Sequence, residues 1–371
     1  MIKYRFGFVM EQMLGHVTHH HNLAQWVAET EDIEPIWMPI LPQKADIWER
    51  LPVINGNWSL KASLRAKEQL KANFSERMPD ALFLHTQTVS LFSMPYLKSI
   101  PSIISLDATP INYDNVGAAY GHHPGSGWIE QQKFRWYCSL FNEARELVTW
   151  CQWAKDSLIQ DYGVNAEKVT VIPPGVDMAN WAFGKEKVER PIETDRLVKL
   201  LFVGGDFERK GGMYLLEAFK QKLHQTCTLD IVTRDAVAQQ ASAGIAGIQV
   251  HRGLTANSAP LKALYANADI FAFPTLADCL PIALMESMAA GLPIVATDVG
   301  ALREEVLPNE NGIMVPPKDT DAIIEAVGRL VANPDERHRM AKRGRELAES
   351  RFDAKTNYNA VLSLMRRISE E

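Results

Sequence analysis

The feature that most constrains the fold is a regular alternation of short apolar strands and amphipathic helices along most of the sequence. Strands that are separated by helices usually pair in parallel, because the crossover connection needs room for the helix. The alternation runs through the first half and starts again in the second, which predicts an α/β protein with two doubly wound sheets. The predicted strands cover residues 4–10, 32–39, 81–86, 102–108, 146–150 and 169–175, then 198–206, 227–234, 248–253, 268–275, 292–298 and 312–317.

Two domains are also expected from the length, because 371 residues exceed what one ordinary core requires. The charged segment 181–196 has no apolar period and is the predicted linker. We predict an N-terminal domain at 1–185 and a C-terminal domain at 198–350. The segment 351–371 predicts an amphipathic helix that either caps its own domain or crosses back to the first. Ligands of such sheets bind beyond the carboxyl ends of the strands, in a cleft between the domains.

Composition and charge argue against several functional classes. The net charge of −6 disfavours a nucleic-acid surface. The beginning of the chain is typical of a first strand rather than a signal peptide, and no run of about 18 apolar residues predicts a membrane span. We therefore expect a cytoplasmic protein with reduced thiols, because no CxxC pair or metal-ligand spacing occurs among its cysteines. These are Cys138, Cys151, Cys227 and Cys279.

A glycine-rich turn with two adjacent cations follows the first strand of the second half. The stretch LLFVGGDFERKGGMYLLEAF places Gly205, Arg209 and Lys210 between this strand and a helix. Backbone amides beside glycines, a helix N-terminus and cationic side chains all favour an anion, so a diphosphate is the predicted ligand. The alternative is a solvated turn without a ligand. A nicotinamide cofactor is not indicated, since no G-x-G-x-x-G follows any of the strands.

Two acids lie in the stretch DIFAFPTLADCLPIALMESMAAGLPIVATDVGALREEV. Asp278 follows an apolar strand, and Glu286 lies in a predicted helix that Gly291 closes. Carboxylates accept hydrogen bonds from sugar hydroxyls, and a pair of them also suits general acid/base catalysis. The alternative is a helix-capping aspartate and a solvated glutamate.

These motifs occur together with a Gly-Leu-Pro segment and the segment DVGALRE. The region from Leu201 to Asp319 thereby resembles the retaining nucleotide-sugar glycosyltransferases of family four, whose GT-B fold has two Rossmann-like domains facing a central cleft. The two acids of that family are separated by seven positions, as Asp278 and Glu286 are. The resemblance extends into the first half through residues 147–177.

The resemblance implies transfer of a sugar, with retention at the anomeric carbon, from a nucleoside diphosphate sugar to an unidentified glycan, lipid or small molecule. It implies no cofactor and no essential metal. Glu286 would bind the ribose hydroxyls and Asp278 the hydroxyls of the transferred sugar. Arg209 and Lys210 would hold the diphosphate and stabilise it as it leaves. Further substrate contacts are implied at Gly15, His16, Gly205, Leu254, Leu280, Pro281 and Ile282.

The sequence departs from the family pattern in three places. Asp278 stands where the family mostly has glutamate, and Ala301 replaces the second glycine of its D-x-G-G-x-x-E segment. A histidine that is common at the end of an N-terminal strand is absent. Asp107 lies near its position and is therefore a candidate catalytic residue, with helix capping as the alternative. The histidines that are candidates for substrate contact instead are His85, His122 and His123.

Two further stretches leave alternatives open. The histidines within residues 11–26 suit either a metal or the substrate, and we predict the substrate because no cysteine or carboxylate cluster accompanies them. The aromatic and basic residues within 127–138 suit helix packing, an acceptor platform or contact with an anionic membrane. The rival functions are a non-catalytic or regulatory nucleotide-sugar-binding protein of the same fold and a sugar-nucleotide epimerase.

Overall fold

The protein was analysed as a computed structural model, which describes residues 3–13, 15–117, 127–191, 193 and 195–371. The described residues fall into two compact units. Unit 1 contains the described residues before 116, those from 127 to 174, and Ala354–Glu371, whereas unit 2 contains residues 116 and 117 and the described part of Gly175–Asp353. In the described chain each unit is built on a parallel sheet of six strands, which confirms the predicted α/β class with two Rossmann-like sheets.

The strands of unit 1 are β1 (Tyr4–Glu11), β2 (Ile33–Ile40), β3 (Ala81–His85), β4 (Ser102–Leu106), β5 (Glu146–Thr149) and β6 (Val169–Val171). They lie in the order β2-β1-β3-β4-β5-β6 and pair in parallel. The inner strands are apolar because both faces are covered. Along β3, Leu82 and Leu84 enter one core cluster and Phe83 enters the other.

The helices of the first part of the chain are α1 (His16–Ala28), α2 (Pro52–Asn55), α3 (Trp58–Asn73), α4 (Gln87–Ser90), α5 (Met94–Leu97), α6 (Pro110–Val116), α7 (Trp128–Glu143) and α8 (Gln152–Gln160). The start of α3 is fixed by Asn57, whose side chain accepts a hydrogen bond from the backbone N–H of Leu60. Short 3₁₀ turns occur at Ile47–Arg50 and Ala166–Lys168.

The strands of unit 2 are β7 (Val198–Val203), β8 (Cys227–Val232), β9 (Ile248–His251), β10 (Ile270–Phe273), β11 (Ile294–Thr297) and β12 (Gly312–Val315). Their order is β12-β11-β10-β7-β8-β9, again with parallel pairing. Each predicted strand of the sequence therefore has its counterpart in the structure. The helices of this unit are α9 (Ala182–Glu189), α10 (Gly212–Gln221), α11 (Ala236–Ala241), α12 (Ala259–Asn267), α13 (Ile282–Ala289), α14 (Leu302–Glu305), α15 (Thr320–Ala332) and α16 (Pro334–Arg351).

The last helix, α17 (Ala354–Glu370), belongs to unit 1 although it follows unit 2 in the chain. Its buried side chains include Tyr358 and Leu362, which share a core cluster with Phe8 and Phe83 of the first sheet. Unit 1 is therefore made from two separate parts of the sequence.

The segment predicted as a linker, residues 181–196, contains a helix, α9. Trp181, which directly precedes this helix in the chain, is almost fully buried. A Cβ atom at Gly184 would lie only 2.0 Å from the carbonyl oxygen of Ala289. The many charged residues of the segment conceal this close packing in the sequence pattern. The main part of unit 2 begins at Gly175, whereas the predicted N-terminal domain extends to residue 185.

Candidate active site

The glycine-rich turn after β7 leads into α10 and packs closely against the end of β10. Gly211 precedes α10 in a left-handed conformation with φ +76°. A Cβ atom at this position would lie 1.7 Å from the carbonyl oxygen of Pro274, so a larger residue does not fit. The close approach brings the turn beside the loop that carries Asp278.

Lys210 and Asp278 form an ion pair between these two loops. The Lys210 Nζ contacts Asp278 Oδ2, and the side chains are 14% and 11% exposed. The same Nζ lies 5.1 Å from the ring centroid of Phe273. Burial lowers the pKa of the Lys210 ammonium, while the charge of Asp278 opposes this effect. The structure thus brings together two of the predicted catalytic residues.

Arg209, the second predicted cation, is enclosed by the protein. Its Nε donates to Asp206 Oδ2 at 3.1 Å, and its Nη1 donates to the carbonyl oxygen of Ala277 at 2.7 Å. Because Ala277 directly precedes Asp278, the guanidinium ties the glycine-rich turn to the loop of the acid.

A third cation, Arg234, lies beside the glycine-rich turn and was not predicted from the sequence. It follows β8, and its Nη2 would be 3.0 Å from a Cβ atom at Gly205. The side chain is exposed. Only the sheet order brings it close, since β8 is the neighbour of β7. The signal that could have found Arg234 is a basic residue directly after a parallel strand, at the edge where ligands bind.

Glu286 is buried in α13 and is bound to a tyrosine. The hydroxyl of Tyr265, in α12, donates to Glu286 Oε2 at 2.9 Å. Burial raises the pKa of Glu286 to about 7, although this hydrogen bond and the charge of Lys262 lower it. Asp278 and Glu286 are thus both buried and paired, the first with Lys210 and the second with Tyr265, which disfavours the alternative of a capping aspartate and a solvated glutamate.

The remaining predicted contacts of unit 2 lie on nearby loops. Leu280 is buried, Pro281 stands at the N-cap of α13, and Ile282 is its first residue. Gly300 packs closely against the backbone of the loop that carries Asp278, because a Cβ atom at position 300 would lie 2.0 Å from the carbonyl oxygen of Asp278. Leu254 follows β9 and is half-buried.

Glu305, at the end of α14, is a fully buried acid that no sequence pattern indicated. Neither of its carboxylate oxygens has a hydrogen-bond partner in the described part of the chain. Burial raises its pKa well above the ordinary value, and the negative charge of Asp278 adds to the effect, whereas Arg351 and Lys210 oppose it. Burial without a hydrogen-bond partner therefore favours the protonated form of Glu305.

Replacing Glu305 with glutamine is expected to stabilise the fold at pH 8. The unfolded carboxyl group ionises near its ordinary pKa of 4.5. Because the pKa of the folded group is raised above this value, the unfolded state binds fewer protons and wild-type stability falls as the pH rises above the ordinary pKa. Glutamine cannot ionise, and the melting temperature of the variant should exceed that of the wild type by about 4 °C at pH 8.

The advantage of the glutamine variant should shrink towards pH 5 in thermal melts. Glu325, an exposed acid on α15, provides a matched control, because Glu325→Gln removes a carboxylate that is already solvated. A difference between Glu305→Gln and wild type that is the same at both pH values would contradict the buried proton.

In unit 1, several predicted residues meet at the carboxyl ends of the strands. His16, the first residue of α1, follows the exposed Gly15, and its Nδ1 lies 2.9 Å from Nε2 of His85 at the end of β3. The Nδ1 of His85 is 3.3 Å from the Ser105 hydroxyl, and its ring stacks on Trp150 at 5.1 Å. Burial holds the pKa of His85 well below its ordinary value, so this ring is neutral. Sequence reasoning named both histidines but neither Ser105 nor Trp150.

The other predictions for unit 1 have mixed outcomes. Asp107 lies directly after β4 and is half-buried, and its carboxylate has no hydrogen bond or ion pair among the described residues. His122 and His123 lie outside the described residues. Where the structure describes the chain, no group of three or more His, Cys, Asp or Glu side chains is arranged to hold a metal ion. No helix in the same part of the chain is long and apolar enough to cross a membrane.

The sequence matches two family models that together cover most of its length. Residues 198–333 match the model described as Glycosyl transferases group 1, and residues 17–180 match Glycosyltransferase Family 4. The chain belongs to the family-four, group 1 glycosyltransferases. Transfer of a glycosyl group is therefore its reaction class.

Individual relatives agree with this assignment. The glycosyltransferase is 29% identical over 233 residues to an MMP alpha-(1->4)-mannosyltransferase of Mycolicibacterium hassiacum, and the match spans 61% of this chain and 54% of that relative. The solved sucrose-phosphate synthase of Thermosynechococcus elongatus superposes with a TM-score of 0.79 at 16% identity, over 99% of each chain. The Anabaena protein HepE in complex with UDP-glucose has a TM-score of 0.69 at 15% identity, over 98% of this chain and 100% of that one. The structural neighbours show the GT-B fold.

Proposed function

We propose that this glycosyltransferase moves a hexosyl group from a nucleoside diphosphate sugar to a hydroxyl of an unidentified acceptor, with retention at the anomeric carbon. The observation that carries the proposal is the Lys210–Asp278 ion pair beside the glycine-rich turn. It places a cation next to the N-terminus of α10, where a diphosphate is favoured, and an acid next to the same position.

The roles of the side chains follow from their chemistry. Lys210 stabilises the negative charge that develops on the leaving diphosphate, so no metal ion is required there. Asp278 accepts hydrogen bonds from hydroxyls of the transferred sugar, and Glu286 accepts those from the ribose. Arg209 contributes positive charge while it holds the turn in place. The backbone of the segment from Leu280 to Ile282 approaches the sugar and phosphates, Gly205 leaves room for the diphosphate, and Leu254 approaches the nucleotide base.

UDP-glucose is the first donor to test, because the structurally similar Anabaena protein was solved in complex with it. A mannosyl donor is the second, because of the mannosyltransferase among the relatives. On the side of unit 1, Gly15, His16 and His85 contact the substrates, and Asp107 serves as a catalytic group at the end of β4.

The experiment is incubation of the purified protein with UDP-, GDP- and ADP-sugars, first alone and then with sugar acceptors. A donor that binds should raise the melting temperature by mass action. We expect one nucleotide class to do so, slow release of its free sugar without acceptor, and an NMR spectrum showing the donor's anomeric configuration in the product. Conversion of the donor into an epimer would identify an epimerase, and binding without turnover would identify a regulatory protein.

A further inference from the structure

We propose that Tyr265 is a positioning residue that fixes the Glu286 carboxylate for the donor and sets the pH range in which the donor binds. The inference rests on the proposed function, because it requires Glu286 to contact the donor. Tyr265 itself does not touch substrate in this account. It acts through the single hydrogen bond that it donates to Glu286 Oε2.

The two oxygens of Glu286 have different environments. Oε2 accepts the Tyr265 hydroxyl at 2.9 Å. Among the described residues the Tyr265 hydroxyl is the one hydrogen-bond donor to this carboxylate, so Oε1 accepts none, and Oε1 is not among the fully enclosed atoms that lack a partner. The tyrosine therefore occupies one oxygen and leaves the other for a ligand hydroxyl. It also fixes the side-chain rotamer, because a carboxylate held at one oxygen cannot rotate freely.

Tyr265 is itself held rigidly. Its ring is fully buried, meets the ring of Trp181 edge-on at 5.1 Å and stacks on Phe271 at 5.8 Å. Lys187 on α9 reaches the end of α12, where its Nζ donates to the carbonyl oxygens of Tyr265, Ala266 and Ala268. The segment predicted as a linker thus supplies two of the contacts that place this hydroxyl, namely Trp181 and Lys187.

The titration of Glu286 depends on few groups. Burial raises its pKa to about 7, and the groups that oppose this shift are the Tyr265 hydroxyl and the charge of Lys262, both on α12. On α16, which packs against α13, Arg345 donates to the carbonyl oxygen of Ala289 instead of reaching Glu286. Removing the tyrosine hydroxyl therefore removes the principal bond that favours the ionised acid, so Glu286 would titrate at a higher pH.

The sign of the pH dependence follows from the hydrogen bonds. The ionised carboxylate accepts hydrogen bonds from ligand hydroxyls more strongly than the neutral acid does, so donor affinity should rise with pH through the titration of Glu286. With a midpoint near 7, the wild-type Kd for the donor should be about tenfold higher at pH 6 than at pH 8.

The test is calorimetric titration of wild type and Tyr265→Phe with the donor identified in the panel, from pH 5.5 to 9. Phenylalanine keeps the ring contacts with Trp181 and Phe271 and removes only the hydroxyl. We expect the midpoint of the affinity profile to move up by about half a unit or more, and KM at pH 7 to rise about three- to tenfold. The kcat at saturating donor should change less than about twofold, since a positioning role in binding leaves the chemical step intact.

Two further variants separate this role from a structural one. Tyr162→Phe removes a buried phenol hydroxyl in unit 1, distant in the chain from Glu286, and should leave the midpoint unchanged. Glu286→Gln should remove the titration from the profile of donor affinity against pH. An unchanged midpoint in a folded Tyr265→Phe protein would overturn the inference, and so would a midpoint that persists in Glu286→Gln. If wild type binds no donor at all, the proposed function fails instead.

Discussion

Replacing Lys210 with methionine is expected to lower kcat/KM for glycosyl transfer by about 100- to 1000-fold. The change removes the cation that meets the leaving diphosphate, and the loss of one preformed charge-stabilising donor has an effect of this size. Methionine keeps an unbranched apolar side chain and removes the ammonium that lies over the ring of Phe273. Initial rates at several donor concentrations should show that kcat falls along with donor affinity, because the interaction strengthens as charge develops.

The Lys210 variant needs two controls. Lys220→Met changes an exposed lysine on the same helix, α10, and should leave kcat/KM within about twofold of wild type. Because the substitution of Lys210 leaves Asp278 buried without its cation, Lys210→Met with Asp278→Asn tests whether an unpaired charge has unfolded the loop. A folded Lys210→Met protein with nearly normal kcat/KM would show that the diphosphate is neutralised elsewhere, with Arg209 and Arg234 as the alternatives beside the glycine-rich turn.

Replacing Gly211 with alanine is expected to have the largest effect on stability. The residue has φ +76°, and the new Cβ atom would overlap the carbonyl oxygen of Pro274, 1.7 Å away. The turn must therefore move away from β10, with a loss of about 3 kcal/mol or more in the free energy of unfolding. Denaturant unfolding measures this loss, and donor titration should show weakened binding in the protein that remains folded.

Gly244 separates the two causes of that loss. It has the same φ of +76°, but a Cβ atom there would meet nothing within 4 Å. Gly244→Ala should therefore lose only the about 1–2 kcal/mol that a left-handed conformation costs an L-residue. Equal losses at both positions would show that backbone conformation alone, and not the contact with Pro274, requires glycine at position 211.

The fold was predictable to a large extent because buried parallel strands produce a local apolar pattern in the sequence. Each of the twelve predicted strands is a short, largely apolar segment between turn residues, and such segments can be recognised without knowledge of distant contacts. The α9 helix was not predicted, because its segment was predicted to be a linker. Its charged residues resemble a linker, and the burial of Trp181 depends on elements that are far away in the sequence.

In the candidate site, too, some features were predictable from local motifs and others were not. Lys210 and Asp278 were named from local motifs, but their ion pair joins positions 68 residues apart and required the structure. The His16–His85 pair likewise joins two predicted residues at a separation of 69. Tyr265, which lies 21 residues from Glu286, was not predicted from the sequence at all. Residue type and motif reveal which groups suit a ligand. Which of them share hydrogen bonds, and which acids keep a proton, depends on burial, which no short pattern records.

The placement of α17 has a consequence for the order in which the protein matures. The main part of unit 2 is the stretch Gly175–Asp353, whereas the face of the first sheet that carries Phe8 and Phe83 is covered by side chains of residues 354–370. On the ribosome, domains generally fold as they emerge, with the earliest first. Here that order is reversed. Unit 1 is translated first, but one apolar face of its sheet stays uncovered until residues 354–370 have been synthesised. A chaperone that binds nascent chains would therefore have to protect the N-terminal half for the longest time.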